Sequence, residues 1–466
     1  SIRHSHPNAI FQNGLFFLAY FAYIPFFFLL KSVSLKNSWF YGAIYGSLSY
    51  TVFLFWLRNY SLIAIIFITF YFFVLYGLLF FLLKLLEKLF GKYSFLLQIL
   101  AFSSFEYLRT LGFLGFSYGE IAYSQWRFLP LIQISNITGI FGLNLLLISF
   151  SFILAQFCTI LNKSQFKDKK NLVKEPSFVS LIIWLFLFIA ILFYGNSQLK
   201  LSQKKSSKFI KIALIQNNEH PWENGIEAHI KNVENLLSLS KSALKDGDID
   251  IVVWPETAVV PSLLYHFYKM ENTERFKLIL KILSFMESSS ANFLIGNSNR
   301  EVGKDGEINY NSTLFFETEK NVFPPEPEIY SKRHLVPFSE SFPLEKYFPK
   351  ISERLRNGSP TFWTPGEDIK VFNYGDFQFV TPICFEDTFG ADCRKMVLQG
   401  GRAFLNVSND SWSESIACQK QHLSMAVFRN VENKVPGVRC TTSGQTCLIT
   451  MNGLVEKELE SLKKLP

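Results

Sequence analysis

The chain has 466 residues, enough for two domains, and its 46 Lys and Arg against 38 Asp and Glu give a formal net charge of +8. Basic loops and surface lysines account for that excess, so nucleic-acid binding is set aside. With no His cluster, phosphate loop or dinucleotide fingerprint, neither a metal nor another cofactor is expected.

The averages of 49% hydrophobic and 18% charged residues hide a division between two unlike halves. Residues 10–30, 38–57, 62–83 and 137–157 are apolar runs of the length, about 20 residues, that crosses a hydrocarbon core of roughly 30 Å. Residues 93–109 and 178–194 come close to it, so six spans are expected. A biased genome composition accounts for 51 Phe against 8 Trp, but not for uninterrupted spans. Phe67–Leu83 lacks the polar stripe that a buried helix of a soluble protein would show.

Alternate loops between these spans hold Lys31 and Lys36, then Lys84, Lys88 and Lys92, then Lys163, Lys167, Lys169, Lys170 and Lys174. The remaining loops hold only Arg58, Arg109 and Arg127. Positive loops stay cytoplasmic, which places everything after residue 195 on the exported side. The start of the chain then also lies outside; it begins with Ser1 and shows no cleavable signal pattern, so a preceding segment is expected. Glu106 and Arg109 share one helical face, where they bind a zwitterionic headgroup or pair with each other; pairing is the expected role.

The expected domains are a transmembrane helical domain over 1–195, a linker over 196–208 containing the Ser/Lys-rich Ser202–Ser207, and an α/β domain over 209–466. In the last, Phe209–Gln216, Ile249–Trp254, Asn292–Gly296, Phe377–Cys384 and Ala403–Val407 read as strands. Ala228–Leu244, Thr273–Glu287, Thr388–Gln399 and Ile416–Glu432 read as helices.

Glu256, Lys332 and Cys384 fall at or just after strand ends, where loops bring side chains together over a sheet edge. Singly, each has an ordinary reading: a solvated loop carboxylate, a surface lysine, a buried inert thiol. Together they offer a nucleophile, a base and a cation for the oxyanion. Trp222 and Trp412 are candidates to bind substrate, with core packing as the equal alternative. Of six cysteines, Cys384 must stay free, while Cys440 and Cys447 lie where a disulfide is allowed.

The words around these residues carry a family resemblance. Trp254-Pro-Glu256, His334-Leu-Val-Pro-Phe338 with Glu340, Ile383-Cys-Phe-Glu386, Ser408-Asn-Asp410 with Trp412, and Gln421-His422 leading to Arg429 and Glu432 resemble the nitrilase or carbon-nitrogen hydrolase superfamily. With Phe105-Glu-Tyr-Leu-Arg109, Gly119–Gln125 and Gly139-Ile-Phe-Gly142, nearly the whole chain resembles its membrane-bound branch, the apolipoprotein N-acyltransferases. The resemblance implies a multi-span α-helical membrane domain plus an exported αββα nitrilase-like sandwich in the bacterial inner membrane, with the catalytic domain periplasmic. It implies transfer of a fatty acyl chain from a phospholipid, typically the sn-1 chain of phosphatidylethanolamine, to the α-amine of a diacylglyceryl-cysteine on a prolipoprotein. Glu256 would be the base, Cys384 the nucleophile, and Lys332 with a backbone N–H near Phe385 the oxyanion donors. Glu340 and Glu386 would support them, one on Lys332 and the other on the amine or the base, unless both belong to a structural ion network. A monomer is expected.

Two positions depart from the family pattern: Phe385 stands where a Tyr is usual, and Ser413 where an aromatic is usual. The family also has about eight spans, with the catalytic domain between the last two, so trimmed ends or an atypical member are expected. A membrane-tethered amidase that uses water as acceptor shares the chemistry as far as the thioester. A scaffold with a dead catalytic domain would lack one of the three residues, and a transporter would need ionisable pairs at mid-depth.

Overall fold

A computed structural model describes residues 2–161, 175–201, 209–219, 225–245, 247–259, 262–270, 273–303, 306–342, 344–355, 362–461 and 463. The chain forms two compact units. The first comprises Ser1–Lys204, Ser413–Lys434 and Asn452–Leu454; the second comprises Lys205–Trp412, Val435–Met451 and Val455–Pro466. The expected linker falls partly on helix and partly, from 202 to 208, outside the described residues.

Every expected span meets a helix. Up to residue 201 the longer helices of the first unit are α1 (Ile24–Ser32), α2 (Leu35–Phe53), α3 (Leu62–Phe90), α4 (Ser94–Leu108), α5 (Ser135–Leu161) and α6 (Pro176–Leu201). Of these, α3, α5 and α6 are each long and apolar enough to cross a bilayer unaided. The first expected span is broken, with a short turn over Phe16–Phe21 ahead of α1. Ile63, Ile66 and Phe70 on α3 and Ile183, Phe186 and Phe193 on α6 are exposed. Apolar rows of that length facing outward need lipid rather than water.

Close helix packing comes from small residues. A Cβ on Gly42 would lie 2.3 Å from Phe80 Cβ, and one on Gly46 2.4 Å from Tyr76 Cβ, so this Gly-x-x-x-Gly face lets α2 lie directly on α3. The buried charge is paired, as expected, but with one more partner. Arg109 Nη2 meets Glu106 at 2.7 Å and Glu120 at 3.1 Å, while its Nη1 donates to the carbonyls of Phe116 and Tyr118.

The second unit is built on two sheets. One runs in the order β1 (Ile212–Leu214), β2 (Ile251–Val259), β3 (Asn292–Gly303), β4 (Gly306–Phe316), β5 (Glu328–Ser331); the first three strands are parallel and the rest antiparallel. A hairpin of β6 (Phe372–Tyr374) and β7 (Phe377–Phe379) stands apart. The other sheet holds β8 (Phe404–Ser408), β9 (Gly437–Thr441), β10 (Cys447–Ile449) and β11 (Val455–Glu456).

Alternation along β2 decides the layering. Ile251 and Val253 face a core shared with Phe404, Val407 and Cys440 of the second sheet. Val252 and Trp254 face the opposite way, against α7 (Ile226–Lys245) and α8 (Glu274–Glu287) through Val233, Leu236, Ile279 and Ile282. α9 (Gly390–Leu398) covers the second sheet through Cys393 and Met396, which gives the αββα sandwich, while α10 (Ile416–Asn433) belongs to the first unit. Alternation also settles the cysteines. Cys447 is in register with Arg439, so Cys440, one residue further on β9, points to the other face, and neither sulfur is in a disulfide.

Helix α10 packs within the first unit, and its polar residues explain themselves there. Gln421 accepts from Trp56 Nε1 at 3.0 Å and donates to the Pro7 carbonyl at 3.0 Å. Arg429 reaches the Tyr123 hydroxyl at 3.3 Å and Glu432 at 3.1 Å, and Glu432 accepts the backbone N–H of Ile140 at 3.1 Å. That N–H is turned outward because Gly139 interrupts α5 with φ 62° and ψ −172°, a conformation that disfavours a Cβ. Gly139→Ala should therefore cost about 1–3 kcal/mol of stability, read as a lower unfolding midpoint in detergent, whereas Ile137→Ala, at an exposed position nearby, should change it little.

Candidate active site

Glu256 is placed by an irregularity in β2. The strand pairs with β3 at Trp254↔Ile295 and resumes at Val259↔Asn297, so β2 has extra residues in this interval and Thr257 takes φ 47°. Gly296 permits it, since a Cβ there would lie 2.2 Å from the Pro255 carbonyl. The carboxylate of Glu256, 5% exposed, accepts from Asn311 Nδ2 at 2.8 Å and Lys332 Nζ at 3.2 Å on one oxygen. Its other oxygen accepts from the Asn409 backbone N–H at 2.9 Å.

Lys332 follows β5 directly and is fully buried. Its backbone N–H donates to the Asn311 carbonyl at 2.7 Å, which fixes the residue that also orients Glu256. Its ammonium lies between Glu256 and Glu340, with Glu340 Oε1 at 2.8 Å. Glu340 is anchored in turn by the Val336 N–H at 2.8 Å. Burial alone would lower the lysine's pKa, but the two carboxylates outweigh it and hold the ammonium well above its ordinary range. Lys332 is therefore a permanent cation here and not a base.

Cys384 is half-buried and opens a tight turn, Cys384–Thr388, with φ 47°. Ahead of it, Val380 and Ile383 bridge to Phe404 and Val407 of β8, so the nucleophile candidate leaves the end of a strand-like segment. Burial raises the thiol's pKa well above 9.0; Glu256 and Asp410 push the same way, against Lys332 and a hydrogen bond from Ser408. The resting group is the neutral thiol, so as a nucleophile it would need a base to take its proton.

Glu386 braces the backbone rather than Lys332. One oxygen accepts from the Tyr330 hydroxyl at 2.8 Å and from the N–H groups of Arg333 and His334; the other accepts from Ile383 N–H at 2.8 Å. It ties the Lys332 segment to the Cys384 turn. Phe385 packs edge-on against Phe389, 4.9 Å between centroids. Trp412 sits half-buried in the turn Ser411–Ser413, and Trp222 lies outside the described residues. Sequence reasoning missed Asn311 and Tyr330. Asn311 is 2% exposed on a strand, and a buried amide in such a place needs partners, which was the available signal.

The Carbon-nitrogen hydrolase family profile matches residues 211–462, and that of the Apolipoprotein N-acyltransferase N-terminal domain matches 8–153. The chain is 42% identical to Apolipoprotein N-acyltransferase 1 of Treponema denticola over 98% of its own length and 85% of the relative's. It is 35% identical to Apolipoprotein N-acyltransferase 1 of Treponema pallidum and 30% to Apolipoprotein N-acyltransferase of Borreliella burgdorferi, with the same two coverages in each case. The chain belongs to the apolipoprotein N-acyltransferase family. It is an acyltransferase of the nitrilase superfamily with a helical membrane domain.

In this acyltransferase the charge around Cys384 makes its own prediction. Because the thiol's pKa is raised above 9.0, its reaction with iodoacetamide should climb with pH through 9 without reaching a plateau below it, as read by mass spectrometry of the Cys384 peptide. A plateau near neutrality would contradict a thiol held neutral by burial and carboxylates.

Proposed function

We propose that this lipoprotein N-acyltransferase works through a thioester on Cys384. Glu256 takes the Sγ proton as sulfur attacks the ester carbonyl of a phospholipid, phosphatidylethanolamine at sn-1 being the expected donor. The developing oxyanion is met by the Lys332 ammonium and by a backbone N–H at Phe385. When the tetrahedral adduct collapses, the C–O bond breaks, Glu256 returns its proton to the departing alkoxide, and a lysophospholipid leaves. The α-amine of a diacylglyceryl-cysteine on a prolipoprotein then attacks the thioester. Glu256 accepts the amine's proton, the C–S bond breaks, and that proton goes back to sulfur.

The observation that carries this reading is the Glu256 carboxylate, held by Asn311, Lys332 and the Asn409 N–H in the same unit as Cys384, whose pKa Glu256 raises and Lys332 lowers. Glu340 keeps Lys332 charged and in place. A base fixed by three donors spends no reorganisation at the moment of transfer.

The membrane domain supports a lipid donor. Drawing a chain of about 16 carbons wholly into water would cost roughly 12 kcal/mol at about 0.8 kcal/mol per methylene, so the ester has to be met at the bilayer surface. The orientation we propose places the catalytic unit on the periplasmic face of the inner membrane. The loops assigned to that face hold three arginines, Arg58, Arg109 and Arg127, against ten lysines on the other.

Intact mass of the full chain in detergent, incubated with phospholipid before any acceptor is added, tests the reading. An acyl adduct should form on the wild type and not on Cys384→Ala, and a diacylated lipopeptide should discharge it. Glu256→Gln should form it on the order of 10²–10⁴-fold more slowly. Discharge by water at the same rate would make the enzyme a hydrolase instead, and absence of an adduct on a folded wild type would remove Cys384 from the mechanism.

A further inference from the structure

Two acidic residues near the site take no part in the steps above. Asp387 lies in the turn that begins at Cys384, and Asp410 follows Asn409, the residue whose N–H holds Glu256. Both are buried. They come from different segments, one after β7 and one after β8, and a single cation on a third segment meets both. Arg439, in the middle of β9 and 1% exposed, bonds Asp387 Oδ2 through Nη1 and places Nη2 3.6 Å from Asp410 Oδ2.

We propose that Arg439 is a positioning residue for acyl transfer, its guanidinium bridging the nucleophile's turn at Asp387 to the base-holding loop at Asp410 so that Cys384 and Glu256 keep one separation. The proposal rests on the reading of Cys384 as the nucleophile. A guanidinium suits the task because its planar fork offers donors in two directions, where an ammonium is a single point of charge. The strand supplies rigidity: Arg439 is in register with Asn406 on β8 and with Cys447 on β10, so its backbone is held on both sides. Asn406 in turn donates to the Pro382 carbonyl at 2.9 Å, two residues before the thiol.

The bridge also sets the field at the thiol. The groups around Cys384 are Glu256 on β2, Lys332 and Glu340 beyond β5, Glu386 and Asp387 in its own turn, Ser408 at the end of β8, Asp410 beyond it, and Arg439. Carboxylates outnumber the two cations, and Asp410 raises the thiol's pKa. Without Arg439, Asp410 would act on the sulfur unneutralised and raise it further. A side chain that only filled space in the sheet would leave the thiol's titration where it is.

The test uses the full chain in detergent, with two readouts on each variant: the rate of thioester formation from phospholipid, and the pH dependence of Cys384 alkylation by iodoacetamide. Arg439→Lys keeps the charge and loses the fork; thioester formation should fall roughly 10²-fold, as for a small misplacement of reacting groups, with little change in donor KM. Arg439→Gln should move the alkylation profile to higher pH, and Asp410→Asn to lower pH. The double variant should return towards the wild-type profile while its acylation stays slow. If Arg439→Gln does not fold, Asp410→Asn still reports the coupling through its opposite shift. Wild-type acylation by Arg439→Lys, together with an unshifted profile in Asp410→Asn, would overturn the bridge. A wild type that forms no thioester, while the profile shifts persist, would overturn the assignment of the nucleophile and leave the bridge standing.

Discussion

The structure of the catalytic unit depends on a buried ammonium. Lys332 has no exposed surface, and an isolated ion in such a place would lose its charge or leave. It stays because Glu256 and Glu340 flank it, and each carboxylate is itself anchored, one by Asn311 and the Asn409 N–H, the other by the Val336 N–H. Removing one partner of a buried ion pair typically costs about 3–5 kcal/mol, because the remaining charge is left without compensation. Glu256, Lys332 and Glu340 thus hold one another in place. In the proposed mechanism the permanent charge on Lys332 leaves Glu256 as the proton acceptor, and burial with carboxylates keeps the resting thiol neutral.

That arrangement is held at some local cost in backbone conformation. Thr257 beside Glu256, Phe338 between Lys332 and Glu340, and Cys384 itself all have positive φ, of 47°, 63° and 47°. Each such residue costs on the order of 1–3 kcal/mol unless its surroundings fix it. Here the surroundings are visible. Gly296 makes room for the irregular stretch of β2, the Phe338 N–H donates to the Ser341 carbonyl, and Glu386 stitches the Cys384 turn to the segment after Lys332. One strained residue falls in each of the three segments that supply the proposed base, cation and nucleophile, which fits strain used to aim side chains.

The spans were legible because lipid imposes a length and an apolar composition that no soluble helix needs, and the expected amphipathic helices of the second unit lie within two residues of those found. Glu256, Lys332 and Cys384 were legible through their flanking words. Asn311, Tyr330 and the Asp387, Asp410 and Arg439 cluster were not, because each acts through a partner tens of residues away and its type alone is ordinary. Glu106 and Arg109 showed their pairing by helical spacing, but Glu120 joins through a folded loop that no periodicity marks. Phe377–Cys384 reads as one strand and is found as a short β7, then single bridges to β8, then a turn. The apolar pattern there reports burial, while the backbone must leave the ladder so that the thiol can point out of it.

Composition divides the chain near residue 200, but packing divides it again at Ser413 and Lys434. The polypeptide leaves β8 at Ser408, passes Asn409 and Asp410, and then enters α10, whose Gln421, Arg429 and Glu432 bond to Trp56, Pro7, Tyr123 and Ile140 among the membrane helices. A helix covered along most of its length, with its polar side chains spent on such partners, is fixed in the first unit. It re-emerges into β9, where Arg439 lies three residues after Pro436. The two residues that reach back to the site, Asn409 through its N–H and Arg439 through its guanidinium, therefore stand on either side of one membrane-anchored helix. For the lipid donor proposed, whose chain would cost roughly 12 kcal/mol to draw into water, tying the loop that holds Glu256 covalently to an element rooted in the lipid-embedded half makes physical sense. The catalytic sheet cannot be cut away from that half as an independent domain without taking both ends of α10 with it.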